Sequence, residues 1–245
     1  MESNSIRTLL CGGREIRWVL TRKKVKNVNL RVKPDGIVYI SANTRVSVKF
    51  IEDFIREKSE FIFSALNGFS GRENALVLPK ASEDFSSGDT ICYFGKDYTL
   101  RIEIDEGISY AAQESAAVEK DEIVVTVRYG GRVGRVLEKF YAEETRKLFE
   151  TLNRRTQLMF LAKGYDVGLA DLQIREMRSQ WGSCHISDGK IVMNSRLALY
   201  PEICAAYVFV HEYAHFIVPN HSAAFYAVVS DIMPDYKICV EMLKR

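Results

Sequence analysis

The chain has 245 residues, 47% hydrophobic and 27% charged, which is ordinary usage and enough apolar material for one large domain or two modest ones. That composition excludes a wholly disordered chain, and 15 Gly with 5 Pro exclude a collagen-like one. A net charge of +2, from 34 Lys and Arg against 32 Asp and Glu, makes no case by itself for a dedicated nucleic-acid binder.

The first twenty residues carry charges where a secretory signal is apolar, and no apolar run nears the ~20 residues that span a bilayer. The expectation is therefore a cytoplasmic protein with no membrane partner. In chain order, residues 14–20 and 28–33 have strand-like composition. Pro34-Asp35-Gly36 then predicts a turn into a strand over 37–42, because Pro presets the first turn dihedral and Gly accepts positive φ. The apolar residues Val48, Ile51, Phe54, Ile55, Phe61, Ile62 and Leu66 are spaced for a helix over 46–66. Residues 67–90 are rich in Gly, Ser, Glu and Asp and predict a loop. Strands are expected at 91–94, 98–104 and 122–129, with an exposed loop at 105–120. A long amphipathic helix is expected from Val133 to about residue 163.

Further on, residues 171–177 predict a strand, and Asp188-Gly189 predicts a hairpin turn inside 179–194. Pro201 opens an apolar helix that Pro219-Asn220 ends. Ser222 is placed to cap another helix, and Pro234 begins a last short one. The expected fold class is α+β. A β-rich N-terminal domain with a helix occupies 1–130. A mainly helical domain with a small sheet occupies 131–245, the boundary falling near Gly130–Gly134.

The five cysteines (Cys11, Cys92, Cys184, Cys204, Cys239) are odd in number, scattered and free of C-x-x-C spacing, as in a reducing compartment. The four histidines carry more information. His185 stands apart, but His211, His215 and His221 fall within eleven residues. His211-Glu212-Tyr213-Ala214-His215 places two imidazoles at i and i+4, on one helix face. That is the start of a tetrahedral zinc site. Glu212, one residue along, can serve a metal-held water as general base without being a ligand. The break at Pro219-Asn220 lets the chain fold back so that His221 completes three ligands, leaving the fourth position open for chemistry. Asp231, Asp235 and Glu241 are carboxylate alternatives to His221. Cys204 and Cys239 lack ligand spacing. The metzincin pattern, which shares the histidine spacing, is rejected because Val218 stands where that pattern needs Gly and no Met-turn follows.

Several blocks occur together in order: RSQWGSC (178–184), GKIVMN (189–194), YVFVHEYAH (207–215), PNHSAAFY (219–226) and PDYK (234–237). With TRKKVKNVNLRVKPDGIVYISA, FIEDFIREKSEFI (50–62) and YFGKDYTLRI (93–102) upstream, the chain resembles the YgjP-like zinc metallopeptidase domain family of bacteria. The resemblance implies a zinc-dependent hydrolase with His211, His215 and His221 as ligands, one zinc per chain, and Glu212 as general base. Two positions depart from the family pattern: Gln180, where Arg or Lys is usual, and Tyr226, where Trp is usual. Neither is expected to touch the ligands.

The segment before the zinc helix has its own expectations. A strand ending in Trp181-Gly182-Ser183 presents an open edge to an extended peptide, with Gly182 permitting close backbone approach. Trp181 is equally a packing residue. Arg178 and Arg196 are candidate oxyanion donors and substrate-binding residues. The basic cluster Arg22, Lys23, Lys24, Lys26, Arg31 and Lys33 suits either phosphate binding or plain solvation. The leading expectation is a zinc metallopeptidase acting on a peptide or protein. The alternatives are a zinc-dependent nucleotide phosphoanhydride hydrolase, or a non-catalytic metal-stabilised or DNA-associated module.

Overall fold

A computed structural model describes residues 6–25, 28–32, 36–69, 77–108, 114–129 and 132–244. The chain forms two compact units: Met1–Ala75 with Val240–Arg245, and Leu76–Cys239.

In the first unit, strands β1 (Arg7–Cys11), β2 (Arg14–Arg22), β3 (Asn29–Val32) and β4 (Val38–Ala42) form one sheet in the order β1-β2-β4-β3. Alternation sets its inner face: Leu9, Cys11, Ile16, Trp18, Val32, Val38, Ile40 and Ala42 are all buried. β3 and β4 pair antiparallel from Val32 opposite Val38, as the turn signal predicts. Lys33, Pro34 and Asp35 lie outside the described residues, while Gly36 sits at φ +74°. The expected helix over 46–66 is two helices, α1 (Val48–Glu57) and α2 (Ser59–Phe69), parted at Lys58. The buried isoleucines 51, 55 and 62 keep helical spacing across that joint, so periodicity alone does not show the break. Ser47 caps α1 by accepting from the Phe50 amide at 3.2 Å.

The second unit begins with β5 (Thr90–Tyr93), β6 (Lys96–Ile104), β7 (Ser115–Glu119) and β8 (Glu122–Val127), in the order β5-β6-β8-β7. β7 replaces part of the loop expected at 105–120. It is a nearly fully exposed edge strand, so it has no alternation to be read. The helix α3 (Val133–Ala162) matches expectation. The division between units therefore falls at 75/76, not at 130/131. Ile91, Leu100, Ile123, Val125 and Val127 of the sheet form one core with Val133, Val136, Leu137, Phe140 and Tyr141 of α3. Tyr141 also donates to the Cys92 carbonyl at 2.6 Å. Burying such side chains stabilises by about 1.5–3 kcal/mol each, which ties this sheet to the helix that follows it.

The rest of the unit carries the site. β9 (Asp171–Arg175), β10 (Gly182–His185) and β11 (Lys190–Asn194) make a three-stranded sheet ordered β10-β11-β9. The β10–β11 turn passes through Gly189 at φ +60°. Then come α4 (Glu202–Ala214), α5 (Ala223–Ile232) and α6 (Tyr236–Met242), whose residues from Val240 on count with the first unit. α4 is buried on most of its faces. Phe209 meets Phe149 of α3 edge-on at 5.7 Å, and Tyr213 lies 5.7 Å from Phe160. Tyr213 also donates to Asn153 Oδ1 at 2.6 Å and accepts from the Ala170 amide at 3.1 Å; Asn153 in turn donates to the Ala170 carbonyl at 2.9 Å. This satisfied buried network fixes the rotation of α4 about its axis. Among the described residues no helix is long and apolar enough to cross a membrane.

Candidate metal centre

His211 lies in the last turn of α4 and His215 caps its C-terminus. The chain then turns, with the Val218 amide donating to Ala214 O at 2.9 Å and the Ser222 amide to Asn220 O at 2.8 Å. That reversal returns His221 to the first two histidines, just ahead of α5. Each of the three imidazoles offers a nitrogen, and these nitrogens all lie within 4.8 Å of one another. His211 Nε2 and His221 Nε2 are 2.9 Å apart. A tetrahedral zinc bound at ~2.0–2.1 Å separates its nitrogen ligands by about 3.4 Å, so the donor set fits such an ion in number, type and spacing. Phe225, fully buried, lies 4.6–4.9 Å from all three rings and forms the floor beneath them.

The electrostatics suit a cation. Burial pulls the His211 pKa down to about 4, with His215 and His221 adding to the shift. His215 is lowered for the same reasons, burial first. Neutral imidazoles keep a lone pair for a metal. The C-terminal end of α4, where two of them sit, favours positive charge. The outer sides of two rings are held as well: backbone carbonyls of Val218 and Pro219 bond His215, and the Tyr207 hydroxyl lies 3.4 Å from His211 Nδ1. The carboxylate alternatives are engaged elsewhere in two cases, Asp231 with Lys163 at 2.8 Å and Glu241 with Lys244 at 2.7 Å. Among the described residues the cluster consists of the three histidines, without Asp235, Cys204 or Cys239.

Glu212 is 5% exposed. Burial pushes its pKa up to about 8, opposed in part by a hydrogen bond from the Cys184 backbone N–H. The same burial, then the Glu212 charge, raises the Cys184 thiol to about 12. A Cβ on Gly182 would stand 2.6 Å from Glu212 Oε1 and 2.8 Å from Val208 Cγ1. The close approach that Gly182 permits is thus between β10 and α4, at the Glu212 carboxylate. Among the described residues β10 pairs with β11 alone. The Asn194 amide bonds the Trp181 carbonyl at 3.0 Å, so by alternation the Cys184 N–H points to the opposite edge, where Glu212 accepts it.

Trp181 is half-buried and meets Tyr200 edge-on at 4.9 Å. Arg178 is exposed between β9 and β10, Arg196 is half-buried, and His185 is exposed at the end of β10. Sequence reasoning missed the residue that organises this segment, Asn194. Its side chain is fully buried, donates to the Met177 and Gln180 carbonyls at 2.8 and 2.7 Å, and accepts from the Met177 and Arg196 amides. It also missed Tyr207, Phe225 and Tyr236; the i−4 and i+4 spacing of Tyr207 and Phe225 from the ligands was the available signal. Tyr226 stands near a candidate ligand, its ring centroid 6.3 Å from that of His221 with the planes 29° apart. In the first unit, Arg22 turns to the Asn43 and Val46 carbonyls, both at 2.8 Å, and Lys26 lies outside the described residues.

An H-E-x-x-H helix with a third histidine returned beside it is the arrangement met in zinc metallopeptidases. The family described as YgjP-like, metallopeptidase domain, matches residues 26–245, and the chain belongs to it. Membership implies a metal ion. No curated protein matches the chain. Among solved structures, the metallopeptidase zymogen of Pyrococcus abyssi abylysin is similar over 38% of this chain and 87% of its own, with 21% identity and a TM-score of 0.33.

Proposed function

We propose that the protein is a zinc-dependent peptidase holding one zinc on His211, His215 and His221, with Glu212 as general base. The observation that carries this reading is the convergence of three imidazole nitrogens within 4.8 Å, two from the C-terminal end of the helix that bears the buried Glu212 and the third from the turn that follows it. Zinc bound there supplies Lewis acidity toward a peptide carbonyl and toward water. Glu212 takes the proton of the attacking water on its carboxylate and returns it to the leaving amine nitrogen. The buried carboxylate sits on the same helix as two of the ligands, one residue from His211, in place for that proton transfer. The edge groups of β10 that Glu212 does not already take are the ones left to pair with the main chain of an extended substrate. Trp181 and Gly182 line that approach, and Arg178 and Arg196 are the candidate donors to the developing oxyanion.

The nucleotide alternative draws less support, because Arg22 of the basic cluster is committed to backbone carbonyls. The deciding experiment pairs elemental analysis with a peptide-library digest and a nucleotide phosphate-release panel. About one zinc per chain, lost in His211→Ala and His221→Ala, together with peptide cleavage abolished in Glu212→Gln, is the expected result. Phosphate release with no peptide cleavage would overturn it.

A further inference from the structure

Two of the candidate ligands stand on different footings. His211 is on a packed helix, while His221 is exposed in the turn between α4 and α5. A ligand on a turn must be ordered when metal binds unless something orders it beforehand. Three tyrosines from three helices connect the pair on its outer side. Tyr207 of α4 sets its hydroxyl 3.4 Å from His211 Nδ1, the nitrogen opposite the Nε2 that faces His221. Tyr226 of α5 sets its ring beside that of His221, the centroids 6.3 Å and the planes 29° apart. Tyr236 of α6 stacks on Tyr207 at 6.0 Å and 18°, and on Tyr226 at 6.1 Å and 16°. The contacts close a circuit: His211, Tyr207, Tyr236, Tyr226, His221 and back to His211. Tyr207 and Tyr236 are buried, so the stack cannot drift freely.

We infer that Tyr207, Tyr236 and Tyr226 form a brace that presets the His211–His221 spacing for metal, with Tyr236 a positioning residue that acts through the other two. The inference rests on the proposed zinc site. Nearly parallel rings at these separations attract beyond their buried area, and the Tyr207 hydroxyl is the outer-side partner that orients the His211 ring.

The test is zinc affinity of the folded protein, measured by competition with a chromophoric chelator, plus the visible spectrum of the cobalt-substituted protein. Tyr207→Phe and Tyr236→Leu should each weaken zinc by roughly 10-fold or more and shift the cobalt bands, while Tyr236→Phe, which keeps the stack, should bind within about twofold of wild type. Tyr141→Leu, in the β5–β8 core, controls for a merely structural loss and should leave affinity unchanged. Should Tyr236→Leu fail to fold, Tyr226→Leu at an exposed position reads the same contact on His221. Wild-type affinity in Tyr207→Phe and in the Tyr236 or Tyr226 leucine variant would overturn the brace. Absence of zinc binding in wild type, or binding indifferent to His211→Ala, would instead overturn the metal-site reading beneath it.

Discussion

Replacing Glu212 with Gln should stabilise the metal-free protein in alkaline solution while abolishing peptide cleavage. The ordinary pKa of the carboxyl is 4.5, and burial raises it to about 8 in the folded chain. Below pH 4.5 the group is protonated in both states and costs nothing. Between the two values the unfolded chain has released a proton that the folded chain keeps, so stability falls as pH rises. Above about pH 8 the full penalty of roughly 5 kcal/mol applies. Gln still accepts from the Cys184 amide but adds donors of its own, a cost that does not vary with pH. Comparing wild type and variant in EDTA at about pH 5.5 and about pH 9 therefore isolates the ionisation, whose penalty grows by about 3 kcal/mol between them. Scanning calorimetry should show the Tm advantage of the variant widening by roughly 6–13 °C over that interval. Equal pH dependence in the two proteins would refute the desolvated-carboxylate argument.

Other expectations follow from contacts around the same helix. Gly182→Ala should lower both stability and turnover, because the new Cβ collides with Glu212 and Val208; overpacking of this kind costs about 1–3 kcal/mol, checked by denaturation and a kcat assay. Asn194→Ala should destabilise by roughly 2 kcal/mol or more, since it unpairs several buried groups at once, and should raise KM if the Met177–Gln180 segment positions substrate. Cys184, with its thiol pushed up to about 12, should resist alkylation at neutral pH in native protein and react on unfolding, as mass mapping of iodoacetamide adducts would show. Adding zinc to stripped protein should raise Tm with metal concentration, by about 4 kcal/mol of stabilisation at a thousandfold excess over Kd, and His221→Ala should remove that response.

The parts of the site that were legible in the sequence are those fixed by local spacing. His211 and His215 share a face because a helix repeats every 3.6 residues, and Pro219-Asn220 announced the reversal that returns His221. The strands at 14–20 and 37–42, and α3, were legible because a buried face alternates with a more open one; the strand at 98–104 showed in its alternating apolar residues, and that at 122–129 in its run of β-branched residues, most of them buried. What escaped depends on partners far away in the chain. β7 hides because an edge strand exposed on both faces has no period, and β1 because it buries only Leu9 and Cys11. The boundary at Gly130–Gly134 was drawn at a composition break, yet the sheet before it and the helix after it share one core, and cores are not visible as breaks. Asn194 and Tyr236 show the same limit inside the site. An Asn closing a strand and a Tyr after Pro-Asp are common turn chemistry; only the fold brings Asn194 against the Met177–Gln180 segment, and Tyr236 between the tyrosines that flank two ligands. Local repeats thus specify which atoms can bind a metal, and long-range packing specifies how far apart they stand before it arrives.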